Sequence, residues 1–243
     1  MSEPSTAAST TDAASLVHAI RSSLLGVARP VDAEPMAAYM RGCFPFLGVK
    51  TPARRRSTRS IVRPLRSEPV DTVLAVVDEL WGESEREFHQ VGADLLADTA
   101  PRLGVDELPT IRRCLTTNAW WDTVDAIAIG TVGTMARSSP AVVAVMDDWI
   151  ELDDDTSDST TSEMWLARTA ILHQLKWKDD TDEERLFRHS LRRAGDTQFF
   201  LRKAIGWALR QYARTAPGAV RAFVDEHRAE LSALTVREAT KHL

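Results

Sequence analysis

The sequence has little of several features that would assign a function at once. Its 243 residues include only two cysteines, Cys43 and Cys114, too few for a disulfide framework or a zinc site. No apolar run approaches the roughly 18–20 residues that a membrane-spanning helix needs. The start lacks both a basic stretch and an apolar segment, so we expect a disordered tail over residues 1–13 and no secretion signal. These absences favour a cytoplasmic protein with reduced thiols.

Motifs of the common cofactor-dependent enzymes are also missing. The chain has no phosphate-binding loop, no dinucleotide fingerprint and no nucleophile elbow. Its six histidines are scattered, and none stands at metal-ligand spacing from a second ligand. The sequence therefore predicts no metal and no cofactor.

Helical periodicity dominates the chain. The alternation typical of strands never persists, whereas apolar residues recur about every 3.6 positions. Helices joined by short links favour stacked hairpins in a superhelical solenoid, with a compact helical bundle as the alternative. We expect one domain over residues 14–243. The predicted helices span 14–25, 32–43, 52–63, 70–80, 84–97, 107–116, 119–136, 140–150, 162–176, 181–193, 198–215, 217–228 and 233–242.

The net charge of −5 is unevenly distributed. Five acids in the Ser/Thr-rich link 151–162 equal that net charge, so the rest of the chain is neutral. Residues 35–67 carry eight basic side chains and no acid, and residues 185–214 carry eight more against Asp196 alone. These blocks are either solvated helix faces or surfaces that attract a polyanion.

The segment Trp-Trp-Asp-Thr-Val-Asp at 120–125 organises the middle of the chain. Asn118 can cap a helix that begins here and runs towards Arg137. On this helix Trp120, Val124 and Ile127 share one face, which is typical of a core stripe.

Trp121 and Asp125 stand together on a neighbouring face of the same helix, at i and i+4. An indole beside a carboxylate away from the core is unfavourable unless a cationic or flat group comes to lie there. Asp122 and Asp125 also suggest a paired-carboxylate acid/base site. Asp122, however, is more simply explained as a negative charge that stabilises the positive N-terminal end of the helix dipole. This explanation is weaker for Asp125, which lies further into the helix.

The helix predicted over 198–215 carries Lys203, Trp207, Arg210 and Arg214 along one face. This face is either a tryptophan packed on aliphatic stems with solvated arginines, or a phosphate-binding stripe with a flat apolar anchor.

Two further basic features stand on helices. Arg56, Arg59 and Arg63 form a ridge at i, i+3 and i+7. Arg168 is isolated on an otherwise apolar helix, where it either snorkels to solvent or is aimed at an anion.

Several segments together resemble the AlkD-type DNA alkylation-repair glycosylases. The resemblance runs from about Ala33 to the C-terminus. It is carried by Tyr39-Met40-Arg41, Phe44–Val49, Trp120–Asp125, Arg168–Leu175, Phe199–Arg210 and Arg237-Glu238-Ala239. It implies an all-α, right-handed superhelical solenoid of degenerate HEAT-like hairpins that grips duplex DNA and uses no metal or cofactor.

The resemblance also implies the reaction and the site. The family removes cationic N3- and N7-alkylated purines, such as 3-methyladenine and 7-methylguanine, from duplex DNA. Asp125 becomes the catalytic carboxylate, and Trp121 and Trp207 become the aromatic side chains that flank the sugar of the lesion. With the two basic helix faces, the expected DNA contacts are Tyr39, Arg56, Arg59, Arg168, Lys203, Arg210 and Arg214.

Two departures from the family pattern stand in this chain. Ala167-Arg168 replaces a common Arg-Arg pair, and the acidic link 151–162 is longer than usual, so we expect it to loop away from DNA. Two rival functions remain open: a catalytically silent DNA-structure binder, which would be expected to lose the Trp/Asp/Arg set, and a protein-interaction scaffold. We expect a monomer associated with the nucleoid.

Overall fold

The structure, a computed structural model, describes residues 13–152 and 161–243. Its regular structure is helical, and no strand occurs within those two ranges. The predicted tail lies outside the described residues except for Ala13, which begins the first helix. The expectation that the acidic link loops away from DNA also concerns residues mostly outside them.

The described residues group into two compact units that divide between Thr99 and Ala100. In the first unit α4 packs on α5, and α1 packs on both α3 and α4. Its core is apolar and includes the fully buried Val73, Val76 and Leu80 together with the rings of Trp81 and Phe88. The helices are α1 (Ala13–Leu25), α2 (Pro30–Tyr39), α3 (Thr51–Leu65), α4 (Val70–Trp81) and α5 (Arg86–Thr99).

The second unit is built around α10, which contacts α6, α7, α9, α11 and α12. Every residue of α10 from Met164 to Leu172 is buried. The α-helices are α6 (Leu108–Thr116), α7 (Trp121–Ala126), α8 (Gly133–Ser138), α9 (Pro140–Glu151), α10 (Ser162–Leu172), α11 (Glu183–Arg192), α12 (Phe199–Tyr212), α13 (Pro217–Glu226) and α14 (Ala233–Ala239). Short 3-10 helices span Ala100–Arg102, Val105–Glu107 and Lys178–Asp180, and a π-helix spans Ile127–Val132.

The helix predicted over 119–136 is interrupted by the π-helical segment between α7 and α8. Gly133 follows this segment at a point where the backbone at the end of α10 comes very close. A Cβ at Gly133 would lie only 2.3 Å from the carbonyl oxygen of His173. The Trp177 indole then donates to the Gly133 carbonyl at 2.9 Å. Only glycine allows so close a backbone approach, and π-bulges of this kind often accompany functional sites.

The predicted Asn118 cap is wrong. Asn118 adopts a left-handed backbone, with φ of 50°, two residues before the N-cap of α7, which is Trp120. Helix α11 is capped by Asp182, whose carboxylate accepts a hydrogen bond from the backbone N–H of Arg185 at 2.9 Å. A short acidic side chain at this position satisfies an amide that has no partner within the helix.

The all-α class is therefore confirmed for the described residues, and the core stripe is too: Trp120, Val124 and Ile127 are all buried. The single-domain boundary over 14–243 stays a prediction. None of the described helices combines the length and apolarity that crossing a membrane requires.

Candidate active site

Asp125 lies near the end of α7, two residues before the π-helical segment. Its side chain is 15% exposed, so it is mostly desolvated but still reachable from outside. Its two carboxylate oxygens each accept a hydrogen bond from the guanidinium of Arg168. Nε donates to Oδ1 at 2.7 Å, and Nη2 donates to Oδ2 at 2.9 Å.

Arg168 reaches Asp125 from the middle of α10, where its side chain is only 5% exposed. Its Nη1 donates to the carbonyl of Phe200 at the start of α12, so one guanidinium joins three helices. Of the two interpretations left open by the sequence, the anion-directed one holds, and the anion is Asp125. Contact of Arg168 with a DNA phosphate stays a prediction.

An aromatic cluster supports this pair. The Trp120 ring packs edge-on against Trp165 at 6.0 Å and against Phe200 at 5.2 Å between centroids. Trp165 and Phe200 meet at 5.0 Å. The three rings belong to the N-cap of α7 and to the two helices that hold Arg168, and edge-to-face packing is favourable. The cluster therefore fixes the elements that carry the ion pair.

The environment sets the protonation of Asp125. Burial raises the pKa of its carboxyl above the ordinary value, while the charge and hydrogen bonds of Arg168 lower it. Asp122, one turn earlier on α7, adds a smaller upward contribution to that pKa. The bidentate pair is thus what favours the ionised carboxylate at a desolvated position.

The two tryptophans predicted to flank a sugar are both partly exposed. Trp121 begins α7, one turn before Asp125, and Trp207 lies in the middle of α12. By contrast, Trp120 is buried. Of the Trp-Trp pair, the second indole is therefore the more exposed.

The predicted cationic stripe on α12 is partly neutralised by an acid that the sequence did not single out. Glu238 on α14 accepts from Lys203 Nζ at 2.9 Å and also pairs with Arg210. Both cations lie within one turn of Trp207 on α12, whereas Arg214 is exposed two residues beyond the end of that helix at Tyr212, so it is not part of the helical stripe. Glu238 belongs to one of the segments that carry the family resemblance, which was the available signal.

The remaining predicted DNA contacts belong to the first unit. Tyr39 ends α2 with a side chain that is 71% exposed, unusual for an aromatic residue. Arg56 and Arg59 are exposed on α3. Some cations of the basic block over residues 35–67 are already paired within the protein, because Arg54 and Arg55 both form ion pairs with Asp94 of α5.

A second feature of the first unit was missed from sequence. Glu87 is fully buried, and its carboxylate accepts backbone N–H groups of Leu47 at 3.1 Å, Gly48 at 2.9 Å and Val49 at 2.9 Å. Successive amides around one anion form a nest, which pins the segment that follows α2. Gly48 is required there because its φ is 83° and a Cβ would lie 2.0 Å from the Arg29 carbonyl oxygen.

Metal-ligand geometry is not found in the part of the chain that the structure describes, where no three His, Cys, Asp or Glu side chains are placed to hold an ion. Cys43 is exposed and Cys114 is buried, and neither forms a disulfide in the described parts of the chain. Of the predicted site residues, the structure brings Asp125 and Arg168 together, while Trp121 stands one turn before Asp125 on α7 and Trp207 lies on α12.

Known proteins resemble this chain in sequence and in fold. The family model of the DNA alkylation repair enzyme matches residues 20–243. A solved structure described as "Predicted DNA alkylation repair enzyme from Enterococcus faecalis" is similar, with a TM-score of 0.76 and 27% identity over 89% of this chain and 96% of that chain. The comparison with curated proteins finds no match. The helical-repeat fold class is thereby confirmed, and with it a role in DNA repair. The chain belongs to the DNA alkylation repair enzyme family.

Proposed function

We propose that this protein is a DNA glycosylase that hydrolyses the N-glycosidic bond of cationic N3- and N7-alkylated purines in duplex DNA. The observation that carries the proposal is the bidentate Asp125–Arg168 pair, which holds a desolvated yet reachable carboxylate in one orientation. Family membership supports a DNA substrate with alkylation damage.

The lesion itself supplies much of the driving force. Alkylation at N3 or N7 makes the purine cationic, so it leaves as a neutral base when the bond to C1′ breaks and its electron pair moves onto the purine. Positive charge then develops on the sugar, as in glycoside cleavage. Water adds at C1′ and loses a proton, which completes hydrolysis without a metal or cofactor.

Asp125 stabilises that developing charge. At about 4 Å and an effective dielectric of about 20, the attraction between a carboxylate and a unit positive charge is roughly 4 kcal/mol. Expressed only in the transition state, this corresponds to a rate factor on the order of 10³. The same carboxylate can orient the attacking water.

Arg168 makes this stabilisation possible. A carboxylate that is free to rotate would lose part of its effect to reorganisation, whereas two hydrogen bonds fix both oxygens in advance. The guanidinium also opposes the protonation that burial favours. Each oxygen retains a second lone-pair position for water or the sugar.

Trp121 and Trp207 add attraction to the cationic sugar. A ring face near a cation contributes about 0.5–2 kcal/mol, depending on desolvation. Tyr39, Arg56, Arg59, Arg210, Lys203 and Arg214 are proposed to hold the phosphate backbone of the duplex. The protein would act as a monomer in the cytoplasm, associated with the nucleoid.

Release of base from defined duplexes tests the proposal. Purified protein is incubated with duplexes that contain one 7-methylguanine, 3-methyladenine, uracil or 8-oxoguanine, and free base is identified by mass. We expect release of the two methylpurines only, because neutral bases need protonation to leave. Comparable release of uracil would contradict the mechanism. Binding without any release would instead favour the catalytically silent DNA binder.

A further inference from the structure

The C-terminal helix α14 lies unusually close to α12. Gly206 of α12 makes this possible, since a Cβ there would come within 2.5 Å of the Glu238 Cβ and 3.0 Å of the Thr235 carbonyl oxygen. The Thr235 hydroxyl donates to the Arg202 carbonyl at 3.2 Å, which fastens the two helices. The close approach of α14 to α12 at Gly206 therefore determines which side chains of α12 the Glu238 carboxylate can contact.

Glu238 uses that position to join two cations of α12. Its Oε1 accepts from Lys203 Nζ at 2.9 Å, while Oε2 accepts from Arg210. Hydrogen bonds and charge from Lys203, then Arg210, lower the pKa of Glu238 to about 2, so it stays ionised at neutral pH. Lys203 stands one turn before Trp207, and Arg210 stands three residues after it.

The two cations are held unequally. Arg210 also donates to the Glu238 backbone carbonyl at 3.4 Å, and its side chain is less exposed than that of Lys203. Among the described residues Lys203 pairs with Glu238 alone, and a lysine ammonium at a partly exposed position exchanges partners easily. A phosphate that approaches Trp207 would thus compete with Glu238 first for Lys203.

We propose that Glu238 is a positioning residue: it holds Arg210 in place beside Trp207 and releases Lys203 to a phosphate when duplex DNA binds. This rests on the proposed function in so far as duplex DNA is the partner. The acid weakens binding to undamaged duplex and orders the site for excision.

Glu238→Gln tests this assignment, with Glu226→Gln as the matched control. Glu226 is an exposed acid of α13 with no ion pair among the described contacts, and its replacement removes the same charge. Affinity for undamaged duplex is measured at several salt concentrations. We expect E238Q to bind about threefold to tenfold more tightly at low salt. The slope of the logarithm of its binding constant against the logarithm of the salt concentration should steepen by about 1.

Excision provides the second measurement. At saturating enzyme, E238Q should release 7-methylguanine about fivefold or more slowly, because Arg210 loses its fixed position, while E226Q matches the unmodified protein. E238Q that equals E226Q in affinity, slope and rate would overturn the inference.

Two further outcomes separate this inference from the proposed reaction. If E238Q fails to fold, Lys203→Ala replaces it, and its salt slope should shrink by about 1; an unchanged slope would overturn the inference. If the unmodified protein binds duplex but releases no base, the reaction fails, whereas the binding measurements still decide the role of Glu238.

Discussion

Arg168 holds Asp125 through both carboxylate oxygens, although the two residues lie 43 positions apart in the chain. The same guanidinium donates to the Phe200 carbonyl. A carboxylate that is mostly out of water is thereby kept oriented by a cation that is itself buried. Removal of either partner leaves a desolvated charge, so the pair behaves as a unit in any mutational test.

Replacement of the pair tests its catalytic value. Asp125→Asn should slow single-turnover excision of 7-methylguanine by a factor on the order of 10³ while duplex binding persists. Arg168→Lys keeps the charge but loses the bidentate geometry, and should cost roughly tenfold. Arg168→Ala should lower the free energy of unfolding by about 3–5 kcal/mol, measured with urea.

Asp122→Asn is the matched control for that series, since it removes a carboxylate from the first turn of the same helix. We expect its excision rate to stay within about threefold of the unmodified protein, a charge effect of a few tenths of a kcal/mol at the helix terminus. Full activity in Asp125→Asn would remove Asp125 from the mechanism.

The pH dependence of excision should report Asp125. Its folded-state pKa is raised above 3.8 by burial, and only the ionised form stabilises the sugar. Activity should therefore be lost as pH falls through that raised value, at a higher pH than for an ordinary aspartate. Arg168→Gln should move this acid limb to still higher pH. Rates are corrected for spontaneous depurination, and an acid limb that does not move with Arg168→Gln would contradict the coupling.

The two partly exposed indoles, Trp121 and Trp207, should contribute to the excision rate and not only to binding. Trp121→Leu and Trp207→Leu each remove a cation–π contribution of about 0.5–2 kcal/mol, or roughly 2- to 30-fold in the excision step. Single-turnover rates at saturating enzyme measure this directly. If the substitutions lower the affinity for DNA more than they lower the excision rate, these residues contribute to ground-state binding instead.

Gly206→Ala tests the contact between α12 and α14. The new methyl would meet the Glu238 Cβ and the Thr235 carbonyl, and we expect a loss of about 1–3 kcal/mol in the free energy of unfolding. Gly218→Ala on α13 is the control, because nothing lies within 4 Å of the added methyl. That variant should be neutral or slightly stabilising. If Gly206→Ala and Gly218→Ala unfold at equal urea midpoints, α12 and α14 can move apart to accept the added methyl group.

Acid should destabilise the second unit through His173. This imidazole is buried, and desolvation lowers its pKa from 6.5 to about 4. Below pH 6.5 the imidazole of His173 binds a proton in the unfolded chain, whereas in the folded chain it stays neutral until about pH 4. The free energy of unfolding therefore falls as the pH drops through that window. His173→Gln should flatten this part of the stability curve. The check is urea unfolding across the window.

Helix positions were largely predictable from sequence. The 3.6-residue pattern placed α4, α6 and α9 within about one residue of their observed ends, and it identified Trp120 as core. Caps were less predictable, as at Asn118, because several polar residues near a helix start can satisfy the same amides.

The family motifs also drew attention to Asp125 and Arg168 as separate residues. Their pairing was not expected, nor was the way Glu238 divides the α12 stripe or Glu87 collects three backbone amides. Each of these partnerships joins residues far apart in the chain.

The sequence by itself determined that the chain is helical, which faces are apolar and where charge accumulates, because these follow from neighbours within one or two turns. Only the tertiary structure decided which charges meet. A buried ion takes the partner that packing brings within hydrogen-bond distance, and that depends on close approaches such as those at Gly133 and Gly206, which local periodicity does not encode.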